Sequence, residues 1–370
     1  MAINYASKHA DVIDELFAKG SITQDAVNDD FKWTGVNTIH LHSVPAVPMN
    51  DYTRSGNNRY GSPSELQDTV QDMVITQDRS FTFTIDKGNE MEDPALNAGK
   101  AVKRQIELVI VPEIDSYRLA KIAAGAKGTA AAALSKTNAY EKFLDGNQKL
   151  DDEKVPDVDR LCYVSSGFYK LIKQDGNFVL ASEIAQGMKI SGQIGEVDGV
   201  RIMKGSGRLP AGVDMLFCHK VATTGPKRLS EVKINVDPPG ISGTLVEGRE
   251  IFDAIVLANK TGALAVHRGS LLTLTVTNEA GAADKTKFTA AAGYTGQNGV
   301  VMGTLVYVIG ASPATLALGA DLSNTSTYPV LTLDTDIAAT TGDKYIVALK
   351  DQNGLCIGTT GAAVACAIGS

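Results

Sequence analysis

The sequence of 370 residues predicts an α+β protein with an all-β domain added at its C-terminus. Residues 94–124 carry apolar side chains at steps of three and four, which is the period of a helix. Residues 160–267 alternate strand and helix signals separated by glycines. Residues 269–370 are rich in Thr, Ala, Gly and Val, and their short apolar runs between turns predict strands. A chain of this length has room for two or three domains.

The first 35 residues are expected to form an arm rather than part of the core. Residues 9–18 are typical of a short amphipathic helix. Such a helix is marginal alone in water, so it needs a surface to pack on, and a second copy of the chain would supply one. Trp33, the only tryptophan, is interpreted as an aromatic anchor packed on the body.

Residues 36–86 are expected to form a long hairpin. Residues 36–44 and 70–86 alternate as strands do, and residues 47–67 between them are polar and rich in turn residues. A lone two-stranded hairpin is hardly stable in water. We therefore expect the apolar stripe of Phe81, Phe83 and Ile85 to be covered by another copy of the chain.

A long helix is expected next. Asp93 is a suitable N-cap and Pro94 suits the first helical position, so the pattern predicts a helix over 94–124, about 45 Å long. Pro112 lies inside this helix and is expected to bend or interrupt it. Residues 141–159 are charged and are expected to be an exposed loop or a crossing helix.

The segment 192–217 contains the strongest local signal. Asp198-Gly199 between two apolar runs predicts a tight hairpin, because both residues tolerate positive φ. In the C-terminal region, five strands and a β-sandwich are expected. The predicted strands span residues 271–277, 300–309, 329–335, 345–350 and 362–368.

Several segments, in this order along the chain, resemble the major capsid proteins of tailed bacteriophages, which have the Hong Kong 97 fold. The resembling segments are 78–86 (DRSFTFTID), 111–118 (VPEIDSYR), 161–166 (LCYVSS), 192–217, 235–239 (NVDPP) and 248–257 (GREIFDAIVL). Each motif is weak alone, and their order carries the resemblance, which spans roughly residues 30–267.

The resemblance implies a division of the chain. The implied parts are an N-terminal arm (1–35), a strand with an extended hairpin loop (36–90), a peripheral domain with a long spine helix (91–160), an axial domain (161–235) and return strands (236–268). Residues 269–370 lie beyond the resemblance and are expected to be a sandwich-like decoration domain on the outer face of a shell.

The resemblance also implies a function. The chain would assemble with itself into pentamers and hexamers, forming an icosahedral shell around double-stranded phage DNA, which it would contact without sequence specificity. A portal protein, minor decoration proteins and a separate scaffolding protein are further expected partners, the last because the arm starts almost at Met1. Assembly in the bacterial cytoplasm and residence in the virion follow. The candidate contact residues between subunits are Trp33, Arg54, Arg59, Arg79, Phe81, Phe83, Glu113 and Arg118.

Candidate catalytic or binding groups are weak throughout the sequence. His40 and His42 share a strand face, but no further metal ligand is tied to them by a motif. Residues 204–208 lack the spacing of a phosphate-binding loop, and residues 225–228 are interpreted as a solvated basic turn. The acids at 151–153 and 157–159 are expected in solvent. The four cysteines are widely spaced and are expected to be buried thiols. We expect no cofactor, no metal and no enzymatic activity.

Composition limits the function classes. The net charge of −7 argues against a dedicated nucleic-acid binder. The sequence contains neither a signal-peptide pattern nor a run of about 20 apolar residues, so no membrane partner is expected. Three alternatives stay open at this point: an encapsulin shell that packages enzymes, an enzyme with a β-rich appendage, and a tail-tube or surface-layer protein.

Overall fold

The structure is a computed structural model that describes residues 21–28, 31, 38–44, 47–63, 65–66, 68–88, 98–175, 193–205, 207–296 and 299–369. The predicted arm helix, Trp33 and the predicted helix start at Asp93-Pro94 lie outside these residues. The helices are α1 (Ala98–Gln105), α2 (Val111–Ala124), α3 (Ala139–Asp152) and α4 (Ser166–Ile172), with a π-helical turn at Ile106–Ile110. Short 3₁₀ turns lie at Gln24–Ala26, Lys220–Ala222 and Ala258–Ala263.

The body of the protein contains thirteen of the described strands. They are β1 (Thr38–Ser43), β2 (Thr69–Val74), β3 (Gln77–Asp86), β4 (Gly128–Ala131), β5 (Arg160–Val164), β6 (Gln193–Val197), β7 (Val200–Lys204), β8 (Val213–His219), β9 (Thr223–Thr224), β10 (Lys227–Val236), β11 (Gly243–Phe252), β12 (Ile255–Val256) and β13 (Leu264–Arg268).

A six-stranded mixed sheet forms the centre of the body, in the order β4-β13-β8-β5-β7-β6. Every residue of β5 and of β13 is buried, as the near-continuous apolar sequence of an interior strand requires. The predicted Asp-Gly hairpin is confirmed: β6 and β7 are antiparallel and joined by Asp198 (φ 52°) and Gly199 (φ 73°). Both turn residues have the positive φ of a two-residue hairpin turn.

The long predicted helix is present and is interrupted where expected. We call α1, the π-helical turn and α2 together the spine helix; from Ala98 to Ala124 it is about 40 Å long. The π-helical turn ends two residues before Pro112, and its last bond runs from Val111 N–H to Ile106 O, five residues back. A wider turn accommodates the proline ring, which an α-helical turn would force against a carbonyl.

The sheet pairing corrects the predicted hairpin. Residues 70–86 form two strands, and only β2 pairs with β1, in a hairpin that spans 38–74. Strand β3 pairs along its whole length with β11, in a three-stranded sheet of order β10-β11-β3. Ile85 is buried, and Phe81 and Phe83 pack partly buried against the chain's own core. The expectation that another copy of the chain must cover this stripe was therefore wrong, because β3 pairs with β11 and these side chains pack on the core of the same chain.

The charged segment after the spine helix is the crossing helix α3, one of the two predicted alternatives. Gly146 allows α3 to approach β8 closely, since an ideal Cβ there would lie 2.3 Å from Phe217 Cε2. The predicted basic surface turn at 225–228 is corrected as well. Gly225 and Pro226 are buried, and the carbonyl of Asn28 accepts a hydrogen bond from Gly225 N at 3.1 Å.

The C-terminal region is all-β, as predicted. Its strands are β14 (Leu272–Thr273), β15 (Thr275–Ala280), β16 (Lys285–Ala292), β17 (Thr304–Gly310), β18 (Asp336–Ala338), β19 (Lys344–Lys350), β20 (Cys356–Thr359) and β21 (Val364–Ala365). They form a β14-β20-β19-β17 sheet with β21 on β19, and a β15-β16-β18 sheet. The sequence missed β16, β18 and β20, and residues 329–335 are not a strand. Buried side chains of both sheets join the core of the body in one cluster.

Three of the four cysteines are buried thiols, as expected, and Cys366 is partly buried. Burial raises the pKa of the Cys218 thiol to about 12. Among the described helices, none is long and apolar enough to cross a membrane.

Candidate subunit interfaces

The tip of the β1–β2 hairpin carries the most exposed apolar side chains of the described residues. We define the hairpin tip as the described residues between 44 and 68. Met49 is 99% exposed and Tyr60 is 84% exposed. Tyr60 stacks edge-on against Tyr52, with ring centroids 5.1 Å apart. The other exposed apolar tip residues are Val44, Val47 and Leu66. Clustered exposed apolar side chains of this kind are typical of protein–protein contacts.

The base of the hairpin, in contrast, is fixed to the body. Met73 and Ile75 are buried with Leu257 in a small separate core. The side chain of Gln71 bridges two backbone groups of the body: its Nε2 donates to Val256 O (3.0 Å), and its Oε1 accepts from Ala258 N (2.9 Å). The hairpin therefore leaves the body in a defined direction while its tip stays in solvent.

Asp253 fixes the joint between β2 and β3. Its Oδ2 accepts hydrogen bonds from Thr76 N (2.7 Å) and Thr76 Oγ1 (2.8 Å), and its Oδ1 accepts one from Tyr117 Oη (2.7 Å). Burial and the neighbouring Asp253 carboxylate raise the pKa of Tyr117, so the phenol stays protonated and donates. The carboxylate thus ties the hairpin to the spine helix.

A second buried carboxylate, Asp115 of the spine helix, holds residues 21–23 against the body. Its Oδ1 accepts hydrogen bonds from Ser21 Oγ and Thr23 Oγ1, both at 2.6 Å. Its Oδ2 accepts from Ile22 N at 3.0 Å and from Arg208 Nη1 at 2.5 Å. Asp115 is completely buried, so these four donors replace the water that the carboxylate lost on folding. Residues 21–23 are consequently fixed to the spine helix.

The predicted contact residues fall into different places in the structure. Arg54 and Arg59 lie exposed at the hairpin tip, and Arg59 Nε donates to Gly56 O at 3.2 Å. Arg79 Nε donates to Glu113 Oε1 at 2.9 Å, joining β3 to the spine helix. Arg118 is only 3% exposed and donates to Thr23 Oγ1 at 3.3 Å inside the chain.

The Arg79–Glu113 pair borders a cleft between β3 and the spine helix. The cleft has a volume of about 230 Å³ and is lined in part by Phe81 and Phe252. Next to it, Leu108 and Val109 of the π-helical turn are exposed. This surface combines apolar side chains with the Arg79–Glu113 ion pair, a composition suited to a protein–protein contact.

The acidic segment 151–159 is organised by one buried cation, Arg160. Its guanidinium lies 2.6 Å from Asp151 Oδ1 and 2.8 Å from Asp157 Oδ1, and its Nη2 also donates to Val155 O at 2.6 Å. Asp151 and Asp157 are thus solvated partners of Arg160, not a catalytic pair. The expectation of solvent exposure holds for these acids, but the sequence did not identify Arg160 as their partner.

The two strand histidines are each paired with an acid. His40 Nδ1 lies 2.6 Å from Asp72 Oδ1, and His42 Nδ1 lies 2.7 Å from Asp68 Oδ2. The hydrogen bond from His42 lowers the pKa of the exposed Asp68 carboxyl. Within the residues that the structure describes, no three His, Cys, Asp or Glu side chains converge as metal ligands do.

Several solved phage structures have a similar fold. The chain resembles a structure from Mycobacterium phage Che8, with a TM-score of 0.55, 18% identity, and coverage of 67% of this chain and 90% of that chain. It resembles the capsid structure of Cyanophage P-SCSP1u, with a TM-score of 0.54, 15% identity, and coverage of 68% and 88%. The fold is a phage-capsid fold. The mature capsid of bacteriophage PhiM1 is also similar, with a TM-score of 0.50, 12% identity, and coverage of 67% and 86%.

The capsid fold confirms the fold class predicted from the ordered weak motifs. About two thirds of this chain aligns with these phage structures, and the chain contains β structure beyond the capsid-like part. No protein-family model matches the sequence, and no curated protein matches it either. At 12–18% identity the likeness establishes the fold, so the function rests on the surfaces described above.

Proposed function

We propose that this chain is the major shell subunit of a phage head, which assembles with copies of itself into pentamers and hexamers around double-stranded DNA. The observation that carries the proposal is the hairpin: its base is packed into a capsid fold, while Met49 and Tyr60 at its tip are exposed. A fully buried side chain of this size contributes about 2 kcal/mol. Repetition of modest contacts over a closed shell makes such a contact sufficient.

The proposed receiving surface is on a second copy, at the exposed Leu108 and Val109 beside the Arg79–Glu113 pair. The hairpin tip carries the exposed Arg54 and Arg59 beside its apolar side chains, and the receiving side carries the Arg79–Glu113 pair beside Leu108 and Val109. Contacts of this kind between two different patches are heterologous, and heterologous contacts that close produce rings. Rings of five and six are the units that an icosahedral shell requires.

The remaining partners belong to the same proposal. A scaffolding protein would guide assembly, and a portal protein would occupy one vertex. Packaged DNA would be confined without sequence specificity by a shell whose subunits each carry a net charge of −7. Residues 269–370 would decorate the outer face, where minor decoration proteins would also bind.

Negative-stain electron microscopy of the expressed chain, with and without the scaffolding protein, tests the proposal. Round shells are expected. A double variant, Met49→Asp with Tyr60→Asp, should abolish them, whereas Val158→Asp, at an exposed valine in the segment before β5, should not. A chain that stays monomeric with its scaffold would contradict the proposal, and tubes or sheets would favour a tail-tube or surface-layer protein. The neighbouring genes distinguish a phage from an encapsulin: genes for a portal protein and a terminase indicate a phage, and a gene for a cargo enzyme indicates an encapsulin.

A further inference from the structure

The sheet β10-β11-β3 has two outer strands, which differ in their protection against further pairing. Strand β10 has a bulge between Lys227 and Leu229 and carries lysine at positions 227 and 233. Bulges and lysines are common means of keeping an edge strand from pairing with another chain. Strand β3 pairs with β11 over all ten of its residues without a bulge, and it contains neither lysine nor proline. The outer edge of β3 is therefore open to pairing with a further strand.

The backbone groups on this outer edge have no partner within the described part of the chain. Lys87 N donates to Ser242 O at 3.2 Å, so the odd-numbered residues of β3 bond to β11 and the even-numbered ones direct their N–H and C=O groups outward. At Ser80, Thr82 and Thr84 these outward groups bond to no described residue, and all three residues are exposed. The edge thus offers a row of donors and acceptors at the spacing of a β-ladder.

The hairpin tip contains a segment whose backbone also lacks partners. Residues 47–53 are exposed throughout and belong to no strand. Thr53 N donates to Arg59 O at 3.0 Å, but the N–H groups of residues 49–52 have no acceptor among the described residues. A segment whose backbone is solvated in the free subunit is able to pair with a sheet edge without first breaking internal hydrogen bonds.

The cleft beside the edge has room for a side chain of an added strand. Ser80 and Phe81 of β3 line this cleft, and so does Val109, which lies next to the exposed Leu108 of the proposed receiving surface. An added strand binds through main-chain hydrogen bonds, and a pocket beside the edge selects among the side chains that alternate along it. Met49 is almost fully exposed at the tip, and its flexible thioether chain is suited to filling an irregular apolar cleft.

We propose that residues 47–53 of a second copy pair as an added strand on the outer edge of β3, with Met49 in the cleft beside Ser80. This inference rests on the proposed shell function, because it specifies how the hairpin tip of one subunit binds the next. In the shell, the sheet β10-β11-β3 of each subunit gains one strand from its neighbour. The contact is then held by backbone hydrogen bonds together with one apolar side chain.

Hydrogen–deuterium exchange resolved to single residues, on unassembled subunits and on shells, tests this inference. The amides of Ser80, Thr82 and Thr84 should exchange at least about 10-fold more slowly in shells, because ladder pairing protects them. The amides of residues 49–52 should gain protection at the same time. Ile234, whose amide points outward from the β10 edge, is the internal control and should exchange equally in both states.

Two substitutions at Thr82 separate the backbone from the side chain. Thr82→Pro removes one outward donor and no bond to β11, whereas Thr82→Ala keeps the donor and removes only the side chain. The proline variant should raise the subunit concentration needed for assembly at least about 10-fold. The alanine variant should change it less than about twofold. If thermal unfolding shows that the unassembled proline variant is not folded, the exchange experiment on the wild type decides.

Three results would overturn the inference, and they differ in what they leave standing. Shells in which Ser80, Thr82 and Thr84 exchange as in the free subunit would reject the added strand and leave the shell function intact. Protection of these amides without protection of residues 49–52 would assign the edge to a different segment. A chain that forms no shells would reject the proposed function and this inference with it.

Discussion

The buried histidine of β13 predicts a specific loss of stability in acid. His267 is 3% exposed, and neither ring nitrogen has a hydrogen-bond partner among the described residues. Burial lowers the pKa of His267 from 6.5 to about 4. Lys142 and Lys149 of α3 lower it further, while Asp145 of the same helix opposes them. The imidazole is therefore neutral in the folded chain at pH 7.

The sign of the effect follows from proton binding. Below pH 6.5 the unfolded chain binds a proton at His267, and the folded chain does not bind it until about pH 4. Stability must therefore fall as pH falls through this window. The two pKa values differ by about 2.5, and one unit corresponds to about 1.4 kcal/mol, so the full loss is about 3 kcal/mol.

Chemical denaturation of the unassembled subunit between pH 4 and pH 8 measures this loss. Carboxylates also titrate near the lower limit, so the informative quantity is the stability of the wild type minus that of His267→Leu at each pH. This difference should decrease by about 3 kcal/mol from pH 7.5 to pH 4. His40→Gln, an exposed histidine of β1, is the control. A wild-type-minus-variant difference that stays constant across this range would refute the reasoning.

Three further substitutions have defined outcomes. Gly146→Ala should destabilise the chain by about 2 kcal/mol in thermal unfolding, because the new methyl group meets Phe217. Gly167→Ala is the control: the nearest atom to its new Cβ would be Ser165 Oγ at 3.7 Å, so this change should be neutral or stabilising. Asp115→Ala should lower the free energy of unfolding by at least about 3 kcal/mol and expose residues 21–23 to protease, because buried donors lose their acceptor. If residues 21–23 stayed resistant to protease, Asp115 would not be the residue that holds them. Asp253→Ala should raise amide exchange across the hairpin base at least about 10-fold, and unchanged exchange would exclude its role at the joint.

Features that depend only on a few neighbouring residues were predicted correctly from the sequence. The Asp198-Gly199 turn requires two residues that tolerate positive φ, and Pro112 must disturb a helix wherever the helix lies. Both features were therefore predictable without knowledge of the fold. The order of weak motifs supplied the rest of the capsid fold.

Pairing between distant segments could not be predicted in the same way. The alternation in β3 identifies which side chains share a face, but it does not identify the neighbouring strand, and β11 lies more than 150 residues further along the chain. Consequently the stripe at 81–85 was assigned to another copy, although the chain covers it itself. The exposed tip residues Met49 and Tyr60 carry no periodic pattern and were missed for that reason.

The buried charged residues were also not predicted from the sequence. Asp115 and Arg160 have no distinguishing neighbours in the sequence, and each is recognisable only when the fold brings its partners together. The acids at 151–157 were noticed as a cluster, but Arg160 three residues later was not. A charged residue at a position where an interior strand is predicted is the signal that would have identified it.

The π-helical turn at Ile106–Ile110 gives the spine helix a built-in rotation. It takes one residue more than an α-helical turn, so everything after it is rotated by about 100° from a regular α-helix. Deleting one residue there would leave helical content unchanged and would turn Asp115 and Tyr117 away from their partners simultaneously. The length of this five-residue stretch, more than its composition, therefore allows one helix to hold both residues 21–23 and the hairpin base.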